Sequence, residues 1–118
     1  MATLTDLKRI AEVEFADIVK SCLRLDFKMR IFLMDGSFVD VFLSRKLPDR
    51  SGFHWERMDV RGTIYRYDNV PDKLWQSLTT YPYHFHKGAQ DAAEDSPFPQ
   101  TPIEGFRAFM EFVRDQLK

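Results

Sequence analysis

Alternation of apolar and polar residues is the feature that most constrains how this chain can fold. Between residues 23 and 33 the odd positions are all apolar, and most of the even positions carry a charge. Successive side chains of a strand point to opposite faces of a sheet, so this period of two predicts one long, half-buried strand. Asp35-Gly36 then indicates a turn, and alternation resumes from Phe38 to Leu43. The segment therefore predicts a β-hairpin.

The length of this turn follows from which side chains must share a face. Residues directly opposite each other in a hairpin point to the same side of the sheet. A two-residue loop would place Ile31 opposite Asp40, which mixes an apolar with a charged residue. A three-residue loop over residues 34–36 instead pairs Ile31 with Val39, and it puts Gly36 at the left-handed position. We therefore predict the three-residue loop.

A second hairpin is predicted after a loop over residues 46–52. Its strands run from residue 53 to about 59 and from 63 to about 68, joined by a three-residue loop at 60–62. In this register His54 lies opposite Asp68, and Glu56 lies opposite Arg66. These four side chains share one face, and the aromatic residues share the other: Phe53, Trp55, Tyr65 and Tyr67.

Helices are predicted at both ends of the chain. Apolar residues at steps of three and four indicate an N-terminal helix capped by Thr3: Leu4, Leu7, Ala11, Phe15, Ile18 and Cys22. Thr101-Pro102-Ile103-Glu104 has the pattern of a capping box and begins the C-terminal helix. A short helix is expected over residues 72–78 and an irregular segment over 81–100. The predicted fold class is α+β: a four-stranded antiparallel meander, about residues 23–68, packed with the two terminal helices.

Composition limits the kinds of partner and compartment. A chain of 118 residues is expected to form a single domain, residues 1–118, with one core. The net charge of −1 provides no overall attraction to nucleic acid or to an anionic membrane. Cys22 has no partner for an intramolecular disulfide, and no signal peptide or membrane span is recognisable. We expect a cytoplasmic protein that does not bind membranes.

The histidines are the first candidates for chemistry. Two of the three, His84 and His86, lie in one extended segment, where a His-x-His spacing projects both imidazoles to the same side. This arrangement suits acid–base work or metal ligation, although histidine pairs in loops are more often structural. No Gly-rich phosphate loop, CxxC pair or serine elbow is present, and we expect no cofactor and no resident metal.

Arg66 and Asp68 are the second candidates, because they share a face at the end of a strand that stops at Asn69-Val70-Pro71. One interpretation is structural: the two side chains complete a charge network with His54 and Glu56. The functional interpretation requires residues 82–87 to fold back over the end of this strand, which would bring the histidines to Arg66 and Asp68.

Two blocks of the sequence form a specific pattern: Arg66-Tyr-Asp-Asn-Val-Pro71 and, about a dozen residues later, Tyr81-Pro-Tyr-His-Phe-His86. They resemble the pattern Arg-Trp-Asp-Asn-Ala-Pro followed by Phe-Pro-His-His-Lys-His of the TumE family of bacterial and archaeal toxins. Family histidines after the first proline are replaced by Asp72 and Lys73, and a His and a Lys of the second block by Tyr83 and Phe85. The residues that keep the pattern are Arg66, Asp68, Asn69, His84 and His86.

The resemblance implies a toxin that is neutralised by a cognate antitoxin, often of the helix-turn-helix type, and leaves the oligomeric state open. The chemistry that these residues assemble most readily is RNA cleavage without a metal, with His84 and His86 as acid and base and Arg66 stabilising the phosphorane. His54, Glu56 and Tyr83 are supporting candidates, and Tyr81, Tyr83 or Trp75 could stack on a base. The alternatives are a non-catalytic protein-binding module that docks through residues 75–98, and thirdly a metal-dependent hydrolase with His84, His86 and Asp68 or Glu56 as ligands.

Overall fold

The computed structural model describes residues 2–47 and 50–118; Pro48 and Asp49, in the loop predicted over residues 46–52, lie outside the described residues. Three α-helices and seven strands are present in these two ranges. Their bounds are α1 Leu4–Glu14, β1 Val19–Leu25, β2 Lys28–Leu33, β3 Phe38–Leu43, β4 Ser51–Arg57, α2 Met58–Arg61, β5 Thr63–Asp68, β6 His84–Gly88, β7 Glu94–Asp95 and α3 Pro102–Leu117. A short 3-10 helix covers Lys73–Trp75.

All the strands join one antiparallel sheet in the order of the chain, β1 to β7. The α+β class, the antiparallel meander and the two terminal helices are confirmed. The predicted count of four strands is wrong, because the described residues form seven. The additional strands come from segments to which the local pattern assigned helix, a continuation of another strand, or irregular structure.

The N-terminal helix is shorter than its apolar stripe. Thr3 caps it through a complete capping box with Asp6, and the helix ends at Glu14. Phe15 and Ile18 are buried beyond the helix end, and Cys22 lies in β1. The spacing of three or four between apolar residues therefore extends beyond the helix, through a turn and into a strand. It does so because each of these side chains packs against the same core.

The long strand predicted over residues 23–33 is wrong, because the chain reverses at Asp26 and Phe27. Leu25 pairs with Lys28 across this two-residue turn, so odd residues of β1 lie opposite even residues of β2. The apolar side chains at odd positions therefore change faces at the turn. Leu23 and Leu25 are exposed, whereas Met29 is fully buried.

The three-residue loop of the next hairpin is confirmed. Ile31 pairs with Val39, and Gly36 has a φ of 91°, the left-handed conformation that the loop requires.

The hairpin of β4 and β5 has the predicted faces but not the predicted register. The helix α2 and Gly62 occupy the five positions between the strands, and His54 lies opposite Arg66 while Glu56 lies opposite Ile64. A shift of two residues moves every partner but keeps every side chain on its face, because the side-chain period is also two.

Residues 72–100 contain more regular structure than the sequence predicts. The helix expected over residues 72–78 is reduced to the single 3-10 turn at Lys73–Trp75. The segment expected to be irregular contains β6 and β7, and β6 pairs along its length with β5. Pairing with a strand that is distant in the sequence thus determines the structure of this segment.

The core lies between the sheet and the two terminal helices. Buried residues from alternate strand positions pack against buried residues of α1 and α3. The largest fully buried aromatic side chains of this core are Trp55, Tyr67, Phe53 and Phe85 from the strands, Phe106 and Phe109 from α3, and Phe15 just after α1. Helix α3 begins at Pro102 as predicted, but the Thr101 side chain makes no capping hydrogen bond, so the predicted capping box is wrong. Within the described residues, no helix combines the length and the apolar character needed to cross a membrane.

Candidate active site

The polar cluster is built by the pairing of β5 with β6. In this register His84 lies opposite Asp68 and His86 lies opposite Arg66. The segment that carries the histidines therefore lies beside the strand end that carries Arg66 and Asp68, which is the juxtaposition that the functional interpretation required. Since side chains alternate along a strand, both imidazoles lie on the face opposite the core residue Phe85.

Asp68 is the centre of the cluster and is 5 % exposed. Its Oδ2 accepts a hydrogen bond from Arg66 Nε at 3.0 Å, and its Oδ1 accepts one from the backbone N–H of Val70 at 3.0 Å. The same Oδ1 lies 3.2 Å from Nε2 of His84. The Arg66 side chain remains 42 % exposed, so its guanidinium is open to a ligand while Nε is held by the carboxylate.

Backbone carbonyls fix both histidine rings. Nδ1 of His84 lies 3.0 Å from the carbonyl oxygen of Pro82, and Nδ1 of His86 lies 3.0 Å from that of Ala92. A carbonyl oxygen only accepts hydrogen bonds, so Nδ1 carries the hydrogen in both rings. The lone pair of a neutral ring is then on Nε2.

His86 is held in a setting that favours its neutral form. Burial lowers the pKa of His86, and the neighbouring His84 and Arg66 lower it further, while Asp68 and the Ala92 carbonyl act in the opposite direction. His84 has a different neighbour, because its Nε2 faces a carboxylate oxygen of Asp68 at hydrogen-bonding distance.

The cluster opens into a cleft of about 490 Å³. Its walls combine the four polar residues with the segments that follow β5 and β6, and the lining residues are Arg66, Asp68, Val70, Pro71, Asp72, Leu74, Trp75, His84, His86, Gln90 and Asp91. The Trp75 ring stands edge-to-face with the ring of His86, at 5.8 Å between centroids, and 6.3 Å from that of His84. An aromatic surface thus borders the two imidazoles.

Asn69, the remaining candidate from the first block, supports the strand end. It is 5 % exposed, and its Oδ1 accepts a hydrogen bond from the backbone N–H of Ser51 at 2.9 Å. Its own N–H donates to the Ser51 carbonyl at 3.3 Å. These bonds tie the beginning of β4 to the residue that directly follows Asp68.

The supporting candidates His54 and Glu56 are not among the residues that line the cleft. Nε2 of His54 is 3.1 Å from Oε1 of Glu56 on the same strand. His54 lines a neighbouring hollow of about 390 Å³, which shares Arg66 and Asp68 with the cleft. The structure thus places His54 next to the cleft and not among its lining residues.

Tyr83 and Phe85, two departures from the family pattern, lie on the core side of the sheet. Tyr83 stacks on Tyr67 with centroids 6.2 Å apart, and Phe85 is 2 % exposed. A docking surface at residues 75–98 would expose Trp75, Tyr81 and Phe85 and turn the histidines away from Arg66; here Phe85 is buried and His86 pairs with Arg66.

Gln90 and Asp91 are lining residues that sequence analysis missed. They follow Gly88, whose φ of 91° reverses the chain after β6 and returns it towards the cleft. The His-x-His-x-Gly spacing with polar residues just beyond the glycine is the signal that could have indicated them.

Three of the cluster's donor groups are close enough to share one ion. One carboxylate oxygen of Asp68 and one ring nitrogen each of His84 and His86 all lie within 4.8 Å of one another. The same cluster therefore suits either proton transfer or metal ligation by its geometry.

Comparison with known proteins gives one informative match. A family model described as Toxin TumE matches residues 2–117, nearly the whole chain. No curated protein and no solved structure gives a significant match.

Proposed function

This chain belongs to the TumE toxin family, and from that premise we propose that it is the toxin of a toxin–antitoxin pair and cleaves RNA at the cleft of Arg66, Asp68, His84 and His86 without needing a metal ion. The observation that carries this proposal is the β5–β6 pairing, which brings two oriented imidazoles, a carboxylate and a guanidinium to one cleft. Acid, base and charge stabiliser are the groups that phosphodiester cleavage requires.

His86 is the proposed general base. Its Nδ1–H is held by Ala92, which leaves the Nε2 lone pair to take the proton of a ribose 2′-hydroxyl. The 2′-oxygen then forms a bond to phosphorus as the bond to the 5′-oxygen breaks. His84 is the proposed general acid, and its Nε2 gives a proton to that leaving oxygen. The products are a 2′,3′-cyclic phosphate and a 5′-hydroxyl, and proton transfer of this kind contributes about 10²–10⁴-fold in rate.

The other residues position these two and stabilise charge. Asp68 orients both of its neighbours, because its Oδ1 lies 3.2 Å from Nε2 of His84 and its Oδ2 accepts the hydrogen bond from Nε of Arg66. The open side of the Arg66 guanidinium is then available to the negative charge that grows on the phosphorane oxygens. Asn69 is a positioning residue, because it anchors the backbone beside Asp68.

The proposed substrate is single-stranded RNA. Unpaired bases stack on aromatic side chains, and Trp75 presents a half-buried ring directly beside the imidazoles. A nucleobase on Trp75 would bring the adjoining ribose and phosphate to His86 and Arg66. Such a substrate makes the cytoplasm the proposed site of action.

Membership of a toxin family implies a cognate antitoxin. We further assign this partner to the helix-turn-helix type, on the resemblance of the two sequence blocks. A gene for a short helix-turn-helix protein next to the gene for this chain would support that assignment.

Cleavage of a defined RNA tests the proposal. The toxin, purified from its antitoxin, is incubated in EDTA with a mixed-sequence single-stranded RNA and with the same sequence as DNA, and product ends are identified by mass spectrometry. We expect cleavage of the RNA alone, with cyclic phosphate ends. His84→Ala, His86→Ala and Arg66→Ala should each slow it by about 10²-fold or more.

His54→Ala is the matched control, because His54 lies on the same sheet face but outside the cleft. Its rate should remain within about twofold of the unchanged protein. Cleavage of DNA as well as RNA, or full activity in the His84→Ala/His86→Ala double variant, would refute the proposed mechanism. Circular dichroism of each variant separates loss of chemistry from loss of folding.

A further inference from the structure

We propose that Asp68, His84 and His86 form a binding site for a divalent transition-metal ion, with zinc as the best-matched ion, and that the bound ion switches the cleft off. The metal site itself stands on geometry alone. Its inhibitory effect rests on the proposed function, since it assumes that the two imidazoles work as acid and base.

The first argument is the contact between His84 and Asp68. Nε2 and Oδ1 are 3.2 Å apart, and an imidazole nitrogen and a carboxylate oxygen are both common ligands of zinc. Zinc binds nitrogen and oxygen at about 2.0–2.2 Å in a tetrahedron, whose ligands are therefore about 3.3–3.6 Å apart. The observed separation is close to one edge of that tetrahedron.

The second argument is the number and type of donors. His86 adds a third donor to the pair, and the three ligand atoms lie within 4.8 Å of one another. Two imidazoles and one carboxylate are a ligand set that zinc and other late transition metals prefer, whereas magnesium prefers oxygen ligands alone. The cleft beside the cluster leaves room for water at the remaining coordination positions.

The third argument is the way in which the rings are held. Each Nδ1–H donates to a backbone carbonyl, that of Pro82 for His84 and that of Ala92 for His86. Metal-binding histidines almost always donate their second N–H to such an acceptor, which fixes the tautomer and aims the other nitrogen at the ion. Both rings are therefore already oriented as ligands.

Charge around the cluster is mixed. Arg66 opposes a cation, but its Nε is bonded to Oδ2 of Asp68, and Oδ1 is the atom that faces His84. Asp72 and Asp91 line the same cleft and offset that positive charge. Besides that of Asp68, two carboxylates on the wall of the cleft therefore accompany the Arg66 guanidinium.

A bound ion and acid–base catalysis exclude each other. Metal coordination uses the nitrogen lone pair with which His86 would accept a proton. It likewise replaces the proton that His84 would donate. Zinc at concentrations that fill the site should therefore stop RNA cleavage, and a chelator should restore it.

Binding is tested by calorimetric titration of the chelator-treated protein with zinc chloride and, separately, with magnesium chloride. We expect one zinc per chain and no measurable magnesium binding. Asp68→Asn, His84→Ala and His86→Ala should each weaken zinc at least about 100-fold, since loss even of an outer hydrogen-bond partner of a ligand costs about 10–100-fold. His54→Ala is the control and should bind zinc unchanged. Cobalt titration adds a second readout, because tetrahedral cobalt absorbs strongly in visible light, and the three variants should lose this band.

The outcomes separate the two proposals. Zinc binding that depends on the three residues, together with inhibition of RNA cleavage, supports both. Zinc binding in a protein that never cleaves RNA supports the site and overturns the proposed function. Cleavage that requires zinc supports the site and overturns its inhibitory role. Equal zinc affinity in the unchanged protein and in all three variants would overturn the site, whatever the activity shows.

Discussion

Replacement of Gly105 by alanine has two opposite effects on stability: it raises helix propensity, and it introduces a close contact with the backbone of Pro99. Gly105 is buried in the first turn of α3, where its N–H donates to the Thr101 carbonyl at 2.7 Å. A Cβ at this position would lie 2.7 Å from the carbonyl oxygen of Pro99 and 3.9 Å from Cε2 of Phe53. The first distance is well inside a normal contact, and the atom concerned belongs to the backbone, so no side chain can turn away from it.

The relative sizes of the two effects determine whether Gly105→Ala raises or lowers the free energy of unfolding. Alanine is favoured over glycine inside a helix by about 1 kcal/mol. Forcing an extra carbon into a packed site costs about 1–3 kcal/mol. A 2.7 Å contact with backbone places Gly105→Ala at the upper end of that cost. We therefore expect a net loss of about 1–2 kcal/mol in the free energy of unfolding.

Urea unfolding followed by circular dichroism measures this loss. With a slope of about 2 kcal/mol per molar urea, the midpoint should fall by about 0.5–1 M while the slope stays constant. Ala108→Gly, a reverse substitution at a half-buried position of α3, serves as the control for the helix-propensity effect and should cost about 1 kcal/mol. A midpoint that rises for Gly105→Ala would refute the reasoning, because helix propensity would then outweigh the contact with Pro99.

Two further substitutions test hydrogen bonds to buried donors. Ser37→Ala removes the oxygen that accepts a hydrogen bond from the indole N–H of Trp55 at 2.9 Å in a buried site. The free energy of unfolding in urea should fall by about 1–3 kcal/mol. A loss of the same size in a protein whose Trp55 is already phenylalanine would contradict this explanation. Asn69→Ala removes the oxygen that accepts a hydrogen bond from the backbone N–H of Ser51, a residue that is 2 % exposed. The free energy of unfolding should again fall by about 1–3 kcal/mol, and amide hydrogen exchange at Ser51 should become faster. Unchanged exchange at Ser51 would contradict an anchoring role for Asn69.

The position of each residue that departs from the family pattern shows whether the departure changes the cleft. Tyr83 and Phe85 alternate with His84 and His86 along the chain, so they lie on the core side and do not line the cleft. Asp72 does line the cleft, and it also accepts a hydrogen bond from the backbone of Leu74 at the start of the 3-10 turn. The change at that position alters the wall of the cleft and leaves its centre intact.

Local alternation made several features of the fold predictable. It identified the faces of β2 to β5, the three-residue loop before β3 and the common side of His84 and His86. These features follow from the period of two, which holds within any strand whatever its neighbour. Arg66 and Asp68 were recognised as a pair for the same reason.

Pairing between strands was harder to predict. The register of β4 with β5 was wrong by two residues, because such a shift leaves the faces unchanged and the pattern cannot detect it. The chain reversal at Asp26 was missed for a related reason. Apolar residues occupy odd positions both before and after the two-residue turn, although their side chains change faces there.

By itself, the sequence determined the faces of β2 to β5, the residue at which each terminal helix begins, and the family that the chain resembles. Only the tertiary structure decided that β6 pairs with β5, and with it that Asp68, His84 and His86 meet in one cleft bordered by Trp75. The physical reason is that a strand's faces are set by its own residues, whereas its partner is set by the burial and hydrogen bonding of the whole sheet.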